Sequence, residues 1–92
     1  MVTKDIPVQR VQTGVRMEKR LLKVLKALAE YNDMSLGDLI EGIVLHAFEG
    51  KAPFGAQSRA LIAELRKIYG LDLGAGASHR LFERSVQKGR KR

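Results

Sequence analysis

The sequence predicts a mostly α domain with a single N-terminal strand, a fold that a second copy of the chain must complete. Three observations predict it. First, residues 10–17 alternate, with Arg10, Gln12, Gly14 and Arg16 at even positions and Val11, Thr13, Val15 and Met17 at odd ones. A period of two marks a strand with one wet and one dry face. Second, after Glu18 the apolar period lengthens to about 3.6 and stays there through two helices. Third, no other stretch resembles a strand long enough to pair with the first. A lone strand leaves a row of unpaired N–H and C=O groups, so its partner is expected from another chain, as a two-stranded ribbon across a homodimer.

The bulk numbers agree with a small domain that needs help. A chain of 92 residues buries only about 60–65% of the surface that its unfolded form exposes. There is no cysteine, which excludes disulfides, thiolate nucleophiles and thiolate metal sites. Absence of such staples favours a cytoplasmic location and oligomerisation as the source of extra core. No apolar run near the N-terminus reads as a signal peptide, and none approaches the roughly 18 residues of a membrane span. The net charge of +7 is uneven: +3 over residues 1–20, −3 over 21–50 and +7 over 51–92. Basic charge at both ends suits a polyanion such as nucleic acid.

Taken in order, residues 1–9 form a flexible arm, with Pro7 where order begins. The strand–helix–helix unit spans residues 10–50. Its first helix is expected over 19–31, with Leu21, Leu25 and Leu28 as the stripe and Leu22, Val24 and Ala29 beside it; Glu18 favours the helix dipole. Asn32-Asp33 is a turn signal, Ser35 an N-cap, and Asp38 a weak relative of the capping box. The second helix, over 35–49, is expected to bury Leu36, Leu39, Ile40, Ile43, Val44, Ala47 and Phe48, with Gly50 as the terminating glycine. Residues 51–87 form a helical extension. Pro53 and Gly55 mark a linker, Ser58 caps a third helix over 59–69 that ends at Gly70, and Ser78 caps a short last helix over 79–87. Residues 88–92 are a basic tail.

The composition of the second helix decides which element meets DNA. Two helices joined by a short turn invite a helix-turn-helix assignment, in which the second helix enters the major groove. Between Ser35 and Gly50, however, the chain has no Lys, Arg, Asn or Gln and offers Asp38, Glu41 and Glu49. Those carboxylates are repelled by phosphate. The second helix is a core and dimer helix, and reading falls to the strand.

Strand, helix and helix over residues 10–50, with polar residues at alternate strand positions, resemble the ribbon–helix–helix superfamily of the Arc, MetJ and CopG type. The resemblance implies an intertwined homodimer with a two-stranded antiparallel intersubunit ribbon lying in the major groove of double-stranded DNA. Carried onto this chain, the outward, base-facing set is Gln12, Gly14 and Arg16, and the inward set is Thr13, Val15 and Met17. The family also aims the N-terminus of its second helix at a phosphate, which implies the backbone N–H groups of Ser35, Leu36 and Gly37; helix N-termini suit anions on physical grounds as well. Two departures stand out. Of the family's inter-helix Gly-x-Ser/Thr-x-Ser/Thr pattern, Asp33-Met34-Ser35-Leu36-Gly37 keeps only Ser35. Gly14, at the central reading position, has no side chain, so either a base contact is missing or the backbone approaches closely.

Arg16 suits guanine O6 and N7, Gln12 suits adenine N6 and N7, and Arg10 suits a phosphate. The bland alternative is that all three are solvated positions on a wet strand face. His46 among apolar neighbours and the distant His79 make no metal site. No nucleophile triad or phosphate-cradling glycine motif appears, so neither an enzyme nor a cofactor is expected. The function expected is sequence-specific DNA binding by a transcriptional repressor. The alternatives are an antitoxin-like protein whose C-terminal third binds a partner protein, and a non-specific nucleic-acid binder.

Overall fold

The structure, a computed structural model, describes residues 5–84 and contains three α-helices: α1 (Lys19–Tyr31), α2 (Leu36–Phe48) and α3 (Ala56–Tyr69). A 3₁₀ turn, Ala75–Ala77, follows. Among the described residues there is no strand and no sheet. The expected N-terminal strand and antiparallel intersubunit ribbon are therefore not present. Residues 5–17 form no helix, turn or ladder, and none of their backbone groups has a hydrogen-bond partner among the described residues. The physical reason is that alternation supplies the faces of a strand but not its neighbour. Among the described residues no second strand lies beside this one, and an unpaired strand has no ladder to hold it.

Strong helix formers (Lys, Arg, Leu, Ala and Glu) fill α1. Its N-cap is Glu18, whose Oε1 accepts from the Leu21 N–H at 2.9 Å. In α2, Ser35 Oγ accepts from the Asp38 N–H at 3.0 Å, the expected cap. The third helix begins at Ala56, three residues earlier than the Ser58 cap implied. Gly55 caps it in extended backbone, and Ser58 lies within the first turn. The expected helix over 79–87 does not form in its described part. Ser78 lies in a turn with non-helical ψ 133°, and His79 has φ 65°, a left-handed residue where a first helical turn would begin. The remainder of that expectation lies outside the described residues.

All three helices end alike. In each, a residue just past the helix donates its N–H to the carbonyl oxygen five residues back: Met34 to Ala29 O at 3.0 Å, Lys51 to His46 O at 2.9 Å, and Leu71 to Arg66 O at 2.9 Å. This six-to-one closure needs a left-handed residue, supplied by Asp33 (φ 55°), Gly50 (φ 71°) and Gly70 (φ 68°). Two are glycines, for which the conformation carries no Cβ penalty. Asp33 is the exception.

The core is thin. Val24, Leu28, Ala29, Leu39 and Leu71 are buried, and only Leu28 is closed off almost completely. Leu25, Ile43, Phe54, Leu61, Ile62 and Leu65 pack on the Leu28–Ala29–Leu39 cluster. This makes α1 the central element, with α3 on one side and α2 on the other. The stripe of α1 is accordingly centred on Val24 and Leu28, and Leu21 is left exposed. Of the residues expected to be buried in α2, only Leu39 is; Val44, Ala47 and Phe48 face solvent. Arg20 joins the two ends of the fold. Its Nε donates to Glu18 Oε2 at 2.9 Å, and its Nη1 donates to Gly70 O at 3.0 Å and Asp72 Oδ1 at 2.9 Å. Arg66 likewise donates to Leu73 O at 2.9 Å, pinning the segment after α3.

Candidate nucleic-acid interface

The residues singled out for DNA lie on or beside one irregular segment, residues 8–17. A cleft separates this segment from the first turn of α2. Gln12, Gly14 and Met17 line one wall, and Ser35, Gly37 and Glu41 the other. The expected base readers Gln12 and Gly14 thus share a cleft with Ser35, Leu36 and Gly37, the expected phosphate site. Arg16 is not in it. That side chain faces the opposite way, into a second cleft shared with Lys19, Leu81, Phe82 and Glu83.

Each residue of the set has a definite state. Gln12 is exposed and its side chain has no hydrogen-bond partner among the described residues. A Cβ built on Gly14 would meet nothing within 4 Å, and its φ is not positive. Neither crowding nor backbone conformation in the free chain therefore requires glycine at that position. Of the residues expected on the inward face, Val15 is 75% exposed, Thr13 is exposed and Met17 is half-buried; Val11, on the same dry side of the alternation, is 78% exposed. Apart from Met17, the dry side of the segment is uncovered among the described residues.

Both arginines are held by carboxylates. Arg10 Nε donates to Glu41 Oε2 at 2.8 Å and its Nη2 to Oε1 at 2.7 Å, a two-pronged ion pair that fastens the segment to α2. Arg16 makes the same kind of pair with Glu83: Nε donates to Oε1 at 3.0 Å, and Nη2 donates to Oε2. Hydrogen bonds from these guanidiniums, reinforced by their charge, hold the Glu41 and Glu83 carboxyls below the usual glutamate range. From the residue pattern alone, Glu41 is only a charge repelled by DNA and Glu83 has no role. These pairs span 31 and 67 residues, so no local spacing could have announced them.

At the α2 N-terminus the Leu36 and Gly37 N–H groups have no acceptor among the described residues, whereas the Asp38 N–H is taken by Ser35 Oγ. Free N–H groups at a helix start favour an anion, but Asp38 and Glu41 line the same cleft and work against one. His46 Nδ1 lies 2.7 Å from the Gly42 carbonyl oxygen one turn earlier, so that ring nitrogen is engaged with the backbone.

Comparison with protein-family models, curated proteins and solved structures finds no match. The chemistry of the surface is therefore the basis for a functional reading. Among the described residues, no helix is long and apolar enough to cross a membrane.

Proposed function

We propose that the chain is a DNA-binding transcriptional regulator that works as a homodimer and reads a duplex with residues 8–17. The observation that supports this reading is a segment with unpaired backbone that carries Arg10, Gln12 and Arg16 and leaves Gln12 free. Irregular arms of DNA-binding domains lie in grooves in this manner, using Arg and Gln for base edges and cations for phosphates. Here Gln12 and Arg16 are the base-edge residues, Gly14 gives the backbone room to approach, and Arg10 with the first turn of α2 contacts phosphate. Exposed Val11, Val15, Val44, Leu45 and Phe48 form the apolar surface that a second copy covers.

Sequence selection from a random duplex pool, followed by binding titrations, tests the reading. Arg16→Ala and Gln12→Ala are each expected to weaken a selected site by about 1–3 kcal/mol and to relax preference at one position. Affinity is expected to fall steeply with salt as phosphate neutralisation releases counterions. Wild-type affinity in both variants would sink the proposal. Equal competition by an unselected duplex would reduce it to non-specific binding. The exposed Ile68, Leu81 and Phe82 favour a second reading, a partner protein held by the C-terminal third. Retention of a co-expressed partner only when these three side chains are intact would support it.

A further inference from the structure

Resting on the DNA-binding reading above, we infer that Glu83 is an internal competitor for DNA at Arg16, so that the segment after the 3₁₀ turn lowers affinity until a duplex displaces it. The geometry carries the inference. Nε and Nη2 of Arg16 face both oxygens of one carboxylate. That planar fork is the arrangement a guanidinium uses on guanine O6 and N7 or on two phosphate oxygens. A duplex contact through this edge requires Glu83 to leave, and the charge that Glu83 neutralises weakens a contact through the remaining N–H groups of Arg16.

The competitor is built to leave. Leu81 and Phe82, immediately before Glu83, are 53% and 86% exposed, so among the described residues neither apolar side chain of this stretch is buried against the body. The hydrogen bonds that shape it are local, from Arg80 to the Ala77 and Gly76 carbonyls. Both partners of the Arg16–Glu83 pair are themselves largely exposed, and an exposed pair is weak enough for a duplex to replace. The Arg10–Glu41 pair differs in kind. Glu41 belongs to α2 and is fixed to that helix, whereas Glu83 lies on an irregular segment and can withdraw with it. The pair couples the chain's C-terminal side to the N-terminal reading segment across 67 positions.

The test is a double-mutant cycle on the full chain with two probes, a duplex selected by wild type and a random-sequence duplex, titrated at low salt so that weakened variants still bind. Glu83→Gln keeps the shape and removes the charge. It is expected to tighten binding by about 2- to 5-fold when Arg16 is present, and to leave affinity unchanged in the Arg16→Ala background. Tightening by the same factor in both backgrounds would mean bulk charge alone and would overturn the inference. No tightening in either background also overturns it, while leaving the DNA reading intact. Failure of wild type to bind either duplex removes both. Independently of DNA, the Arg16 Nε–H resonance is expected to shift in Glu83→Gln; an unmoved resonance means that the pair does not form in solution.

Discussion

Asp33 shows how much one residue can conceal. It occupies the left-handed position that ends α1, the same place that Gly50 and Gly70 fill for α2 and α3. Asp tolerates that conformation better than most residues, but it keeps a Cβ cost that glycine lacks. Asp33→Gly is therefore expected to raise stability by about 0.5–1 kcal/mol, with part of the gain offset by the freedom glycine adds to the unfolded chain. Chemical denaturation would measure it; a loss of stability would show that the carboxylate has a partner role in the turn. The sequence revealed a turn here because Asn32-Asp33 is a turn dipeptide, but nothing in it distinguished a helix-terminating Asp from a loop Asp. Gly14 was opaque for the opposite reason. A glycine in an alternating pattern suggests a steric demand, yet the space around it is empty, so any demand must come from a bound partner.

At the scale of elements, caps and apolar periods were legible, because they depend on residues within a turn of each other. The 19–31 helix and the Ser35 cap follow from such local rules. The N-terminal strand did not follow, because a strand depends on a partner that periodicity cannot supply. Glu18 illustrates a local device with a global consequence. The N–H of Leu21, followed by the Arg20 guanidinium, holds its carboxyl below the usual glutamate value. A carboxyl whose folded pKa is depressed adds stability that is complete above its unfolded pKa and is lost as pH falls through the folded one. Glu18→Gln is therefore expected to unfold at a lower temperature than wild type at neutral pH. The two melting curves should converge in acid below the carboxylate range. A difference that persists undiminished in acid would mean that the cap does not act through its charge.

The molecule as a whole combines a thin core with a large uncovered apolar surface. Phe48 is 82% exposed at the end of α2, beside the exposed Leu45 and Val44. Their periodicity promised burial, and sequence cannot say whether burial occurs within one chain or between two. For the proposed homodimer, Phe48→Glu is expected to weaken self-association by about tenfold or more while leaving the helical content intact, because the side chain is largely exposed and outside the core cluster. Sedimentation equilibrium alongside circular dichroism would separate the two effects. A wild-type protein that stays monomeric at high concentration would eliminate the dimer. The triple grip of Arg20 on Glu18, Gly70 and Asp72 adds a constraint of another sort. It bolts the point where the reading segment meets α1 to the far end of α3, and Leu71 is buried beside that joint. Shortening the gene after codon 50 to isolate a minimal DNA-binding piece would strip α1 of one of its two walls. Whatever such a fragment failed to bind, the failure would report a collapsed scaffold, so the two halves of this protein should be dissected by point substitution and never by scissors.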